Sequence, residues 1–179
     1  MFIGIERIKE EYNDFIKFPI PNIGATIGLV DKNDYKHWKV KLIGPQDSSY
    51  SNGLFELLIT FPDNYPISPP EICFLTPIYH LNVNPKVPKG SSSSANLGHV
   101  FISNFFPWKT DCNMKELLAN TFALFYYPDP KSPYAFDRAK EFIEDRALYE
   151  KKAQYFTKKY SHPLIKYNYS RTEDWNFNF

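Results

Sequence analysis

The sequence predicts an α+β domain, and three observations carry that prediction. An N-terminal stretch repeats apolar residues at helical spacing. Four short runs then alternate apolar and polar side chains across tight turns. After Trp108 the helical period returns. In the first stretch Ile5, Ile8, Tyr12, Phe15 and Ile16 form the stripe, Glu6, Lys9, Glu10 and Asn13 lie opposite, and Pro19 and Pro21 end the helix because proline lacks the backbone donor that a helix interior needs.

The extended runs follow in order. Residues 25–30 are apolar; Trp38, Val40 and Leu42 alternate with Lys39 and Lys41; Phe55, Leu57, Ile59 and Phe61 alternate with Glu56, Leu58 and Thr60; Ile72-Cys73-Phe74 makes the last strand. Turn residues separate them at 31–34, at Gly44-Pro45, at Ser51-Asn52-Gly53, where Gly53 is expected to take a positive φ, and in the proline-rich loop 62–70. Each link is too short for a crossover helix, so the four strands form an antiparallel meander. Beyond Trp108, Met114, Leu117, Leu118, Thr121, Phe122 and Phe125 recur at three- and four-residue steps, with Thr110 or Asp111 as N-cap and Tyr127-Pro128-Asp129-Pro130 as the stop. Residues 136–160 follow, amphipathic and charged, with Phe142, Tyr149, Ala153, Phe156 and Tyr160 on one side and the charges read as a solvated face. The expected result is a sheet with the C-terminal helices packed on one of its faces.

At 179 residues the chain holds one well-buried domain. The 21 basic residues against 20 acids leave a net charge of +1, which excludes the strongly basic footprint of a nucleic-acid binder. No apolar run approaches the roughly 20 residues of a membrane-spanning helix, and the acids near the N-terminus disfavour a cleavable presequence. The two cysteines, Cys73 and Cys112, form neither a disulfide framework nor a metal site by themselves, so a reducing compartment is expected.

Several motifs, in order, resemble those of the ubiquitin-conjugating enzymes. Gly44-Pro45 and Tyr50-Ser51-Asn52-Gly53-Leu54-Phe55 are similar to the family's Gly-Pro and Tyr-x-Gly-Gly-x-Phe turn. The run from Phe61-Pro62 through Tyr65-Pro66 to Pro69-Pro70 resembles its proline loop. Tyr79-His80-Leu81-Asn82-Val83 resembles its His-Pro-Asn motif, with Leu81 in place of proline. Residues 128–133 resemble its Pro-Asn-Pro stretch, and Asp145, Arg146, Tyr149 and residues 157–160 fit its last helix. The resemblance spans residues 3–161. It implies the family's α+β fold: an N-terminal helix, a four-stranded antiparallel meander, and C-terminal helices on one face. It also implies a domain over residues 1–161, an insertion at 85–95 and an aromatic tail at 162–179.

In that family a cysteine thiolate carries ubiquitin and passes it to a lysine. After Gly98-His99-Val100 the position of that cysteine is held by Phe101, and a phenyl ring has no lone pair or ionisable proton with which to attack an acyl group. The resemblance therefore implies a non-catalytic member, with no catalytic residue, cofactor or metal, and with His80 and Asn82 as motif remnants. The family's acid after the cysteine is replaced by Ser103, and the other acidic position reads as Ser132. Nineteen positions separate Asn82 from Phe101, more than the family's spacing, and the surplus is expected to obstruct the groove for a ubiquitin tail. Among other nucleophiles, Cys112 is expected in the first turn of the helix after Trp108, where the helix dipole lowers a thiol's pKa. Cys73 reads as core. Ser91, Ser92, Ser93 and Ser94 have no histidine placed to activate them, and His80 with His99 is a two-residue metal set at most.

The family's partner surfaces are altered too. The first helix carries mixed charge, and Trp108-Lys109-Thr110-Asp111 replaces Trp-Ser-Pro, so ligase binding is expected to be lost or redirected. The tail alternates aromatic residues with asparagine (Tyr167, Asn168, Tyr169, then Trp175, Asn176, Phe177, Asn178, Phe179), a composition typical of interface anchors. The expected role is a structural or binding subunit that contacts other protein subunits through residues 85–97 and 162–179, with ubiquitin or a ubiquitin-like protein as a further partner. Two alternatives are an active transferase using Cys112 and a non-covalent ubiquitin-binding regulator of an active enzyme. The family default is an intracellular, cytosolic location; an organelle reached without a cleaved presequence stays open.

Overall fold

The computed structural model describes residues 2–85, 98–103 and 107–163. Helix α1 (Phe2–Lys17) leads into strands β1 (Ala25–Asp31), β2 (Asp34–Ile43), β3 (Gly53–Thr60) and β4 (Glu71–Phe74); helices α2 (Met114–Ala123), α3 (Phe136–Glu144) and α4 (Arg146–Tyr160) follow, and a two-residue strand β5 (His162–Pro163) closes the described chain. The sheet order is β1-β2-β3-β4, every pair antiparallel, with β5 paired to the start of β3. This is the predicted helix, meander and helices.

The strand alternation works as expected. Trp38, Val40, Leu42, Phe55, Leu57 and Ile59 point to one face and share a single core with Ile8 and Phe15 of α1, Leu117 and Leu118 of α2, and Ala153 of α4. Trp38 sits at its centre, with the Tyr12 ring edge-on at 5.3 Å and Phe61 at 4.8 Å. A smaller core joins Leu81, Ala139 and Tyr149. The predicted stripe of α1 is right at Ile8 and Phe15, but Ile16, one residue further round, is exposed. No described helix is long and apolar enough to cross a membrane.

Three local expectations are corrected. The N-cap of α2 is Asn113, not Thr110 or Asp111: its side chain accepts from Glu116 N at 3.0 Å while Glu116 reaches back to Asn113 N at 3.3 Å. That reciprocal pair satisfies two donors that a cap at Thr110 or Asp111 would leave for others. Asn113→Ala is expected to cost about 1 kcal/mol in urea unfolding; no shift in midpoint would show the cap to be idle. At the β2–β3 turn, Asn52 and not Gly53 takes the left-handed conformation, with φ 61°. Glycine is needed at 53 for close approach, because a Cβ there would meet Thr157 Cγ2 of α4 at 2.7 Å. The charges of residues 136–160 are not all solvated, since Arg138 is buried and donates to the carbonyls of Ile78 and His80 at 3.1 and 3.4 Å.

Candidate functional site

The segment 79–83 crosses beneath the C-terminal helices, and its polar groups are matched one by one. Asn82 is fully buried. Its Nδ2 donates to the carbonyls of Asp129 and Ser132 at 2.9 and 3.1 Å, and its Oδ1 accepts from Asp129 N at 2.8 Å. All the hydrogens of the side-chain amide are therefore committed to the loop before α3.

His80 is equally enclosed, at 2% exposure. Its Nδ1 accepts from Asn82 N at 3.0 Å, which assigns the proton to Nε2, and Nε2 donates to Leu124 O at 2.9 Å. Burial, with the Arg138 guanidinium adding to it, pushes its pKa down to about 4, so the ring is neutral. Both ring nitrogens are occupied, and the pairing of His80 with His99 as metal ligands has no free donor on the His80 side.

Leu81 stands where the resemblance calls for proline, and unlike proline it brings an N–H into the interior. Tyr149 Oη lies 3.3 Å away to accept it, and Leu81 O accepts from the amides of Tyr134 and Ala135 at 2.9 and 3.0 Å. Tyr50 Oη donates to Tyr79 O at 2.8 Å, and burial pushes the phenols of both Tyr50 and Tyr149 upward. Tyr79 bonds to Glu141 Oε1 at 2.8 Å, and the Arg138 guanidinium stacks 4.3 Å from its ring centroid.

Phe101 is half-buried. Its N–H donates to Asn82 O at 2.9 Å and its ring stands edge-on to Tyr134, centroids 6.0 Å apart. It lines a groove of about 520 Å³ together with Pro69, Pro70, Ile72, Trp108 and Tyr134. His99 and Glu71 approach at 3.9 Å on its rim, and Ser68 Oγ accepts from Asn64 rather than meeting a base. Ser103 hydroxyl donates to Asp129 Oδ2 at 2.7 Å, while Asp129 Oδ1 accepts from Lys131 N. The Ser103 hydroxyl is the main cause holding the Asp129 carboxyl below its ordinary range, which makes it a weak base. Asp129, an acid bonded to both Ser103 and Asn82, stands in the 128–133 stretch beside Ser132, the residue that the resemblance puts at the family's acidic position. Its signal was an acid between two prolines.

Cys112 is not in the first turn of α2 but ahead of its N-cap, partly buried against the core. The free donors at the start of α2 are taken instead by Asn113, which accepts from Glu116 N, and by Glu11, which accepts from Met114 N at 2.8 Å. Cys73 is half-buried on β4. Ser91, Ser92, Ser93, Ser94 and the rest of residues 86–97 lie outside the described residues, as does the tail from 164 onward. The two ends of the insertion are described: Asn84 N donates to His99 O at 2.9 Å and Gly98 N to Asn84 O at 2.8 Å, a closed neck. Among the described residues no group of three or more His, Cys, Asp or Glu is placed to hold a metal.

The first helix is tied to the loop after Trp108. Arg7 pairs with Glu11 at 2.8 Å and donates to the carbonyls of Thr110 and Cys112, and Tyr65 Oη donates to Glu11 at 2.6 Å. The sequence model of the ubiquitin-conjugating enzymes matches residues 7–157, from this helix to the last turns of α4. The chain belongs to the ubiquitin-conjugating enzyme family. The N-terminal helix, the four-stranded antiparallel meander and the C-terminal helices are consistent with that family's α+β fold.

Proposed function

We propose that this family member is non-catalytic and serves as a structural or binding subunit of a larger protein assembly. One observation carries the reading: Phe101 occupies the place in the motif order where the family has its cysteine, and its side chain offers no nucleophile. Two features of the surroundings support it. The Asn82 amide is bonded throughout to residues 129 and 132 and has no donor left for a developing oxyanion. The nearby Ser103 faces a carboxylate of lowered basicity, with no histidine between them. His80 and Asn82 are then motif remnants with structural work, and there is no catalytic, cofactor or metal residue to name.

In this reading the partners are other protein subunits, met through residues 85–97 and 162–179, and Arg7 acts as a brace to the 110–112 backbone rather than as a free cation for a ligase. A thioester assay with activating enzyme, ATP and ubiquitin or ubiquitin-like proteins tests it. No adduct sensitive to reducing agent is expected. A reducible adduct lost on Cys112→Ser would establish the transferase instead.

A further inference from the structure

The sheet has a second face, and it is sheltered. Opposite the core side of each strand, the outward row runs Gly28, Lys39, Leu58, Cys73 through the pairings of β1 to β4, with Thr26, Lys41 and Glu56 in the next row and Leu54 beyond; of these only Thr26, on the edge strand β1, is exposed. An outer sheet face in contact with water leaves such side chains exposed. Here Leu54 is only 4% exposed although it belongs to neither core cluster. The side chains of Lys39 and Glu56, an ion pair at 3.5 Å, are 16% and 22% exposed. Gly28 is buried, and Lys41, Leu58 and Cys73 are each half-buried. Yet α1, α2 and α4 bury their apolar residues on the opposite face.

We propose that this face is the docking surface for the chain's own C-terminal segment, residues 164–179. β5 brings the chain alongside the start of β3, where His162 pairs with Leu54 and Pro163 with Gly53, so the segment begins at the edge of this face beside Leu54. Sixteen residues span up to about 50 Å when extended, several times the roughly 15 Å across four strands. The segment has side chains suited to the surface: Tyr167, Tyr169, Trp175 and Phe177 to bury, and Glu173-Asp174 to face Lys39 and Lys41. The other segment of comparable length, 86–97, is mostly lysine, serine and glycine and has little apolar area to contribute. The proposal stands whether or not the chain is catalytic. It refines the role of the tail, which completes its own domain first, so that other subunits meet its outward side.

Cys73, on the covered row, and Cys112, ahead of α2, are the only cysteines and serve as probe and control. Peptide-resolved iodoacetamide labelling would compare the full chain with a chain ending at Pro163. Loss of the cover is expected to speed labelling of Cys73 about tenfold, leave Cys112 unchanged, and be reversed by adding a peptide of residues 164–179. Should the shortened chain lose cooperative unfolding, the full chain carrying Trp175→Ala and Phe177→Ala is read instead, with the same expectation. Unchanged Cys73 labelling, or acceleration only when residues 86–97 are removed, would overturn the proposal.

Discussion

Asn82→Ala is expected to lower the unfolding free energy by about 3–5 kcal/mol, the largest single-residue effect at the site. The side chain makes three hydrogen bonds in a fully buried position, and each of its partners is backbone of the 129–132 loop. Truncation leaves Asp129 N–H and two carbonyls of the half-buried 129–132 loop without their partner, and each abandoned group costs about 1–3 kcal/mol. Asn82→Asp separates hydrogen bonding from the cavity. It keeps the volume and the acceptor for Asp129 N–H, but it removes both donors and brings a carboxyl into the interior, so it is expected to be nearly as damaging. Urea denaturation with an unchanged slope is the measurement. A loss below about 1 kcal/mol for Asn82→Ala would mean that the loop is held by other contacts. The result matters for function because it distinguishes a structural asparagine from a catalytic one: a residue that holds the loop at this energy is retained whether or not chemistry occurs.

The fold was legible because its signals are local and repeated. Strand alternation placed Trp38, Val40, Leu42, Phe55, Leu57 and Ile59 on the core face, and turn residues fell between the strands. What escaped depended on contacts across the chain. Thr110, Asp111 and Asn113 are all competent caps, and Asn113 wins through Glu116 three residues on and Glu11 from another helix. Gly53 read as a turn glycine because only a packed α4 reveals that Thr157 leaves no room for a Cβ. Arg138 read as one more solvated charge because the carbonyls of Ile78 and His80 and the ring of Tyr79 come from sixty residues away. At the candidate site, motif order singles out His80, Asn82 and Phe101, and in the structure they are linked by the bonds of Asn82 N to His80 Nδ1 and Phe101 N to Asn82 O. Asp129 was not legible, because the turn that sends Oδ1 to Lys131 N and Oδ2 to Ser103 is a matter of loop geometry.

His80 should make the fold acid-labile in a window that one substitution can isolate. In the native state the ring is enclosed and neutral, with its pKa lowered to about 4, against 6.5 for an ordinary histidine. The unfolded chain therefore binds a proton that the folded chain refuses, and stability rises with pH wherever that difference holds. The contribution is fully present above pH about 6.5, declines as the pH falls, and is gone below about 4. That lowering corresponds to about 3 kcal/mol over the whole window, of which about 2 kcal/mol is lost by pH 5. The geometry gives the same sign, since a proton on Nδ1 would point at the Asn82 N–H that now donates to it, with the Arg138 guanidinium close by. Acidic residues also titrate here, so the informative quantity is the difference between the native chain and His80→Gln, measured by urea unfolding at several pH values between 4 and 7. The variant is expected to be less stable at pH 7 and to lose less as the pH drops, so that the two curves converge toward pH 4. Parallel curves would show that His80 is protonated as readily in the folded chain as in the unfolded one, and that its two hydrogen bonds do not hold it neutral.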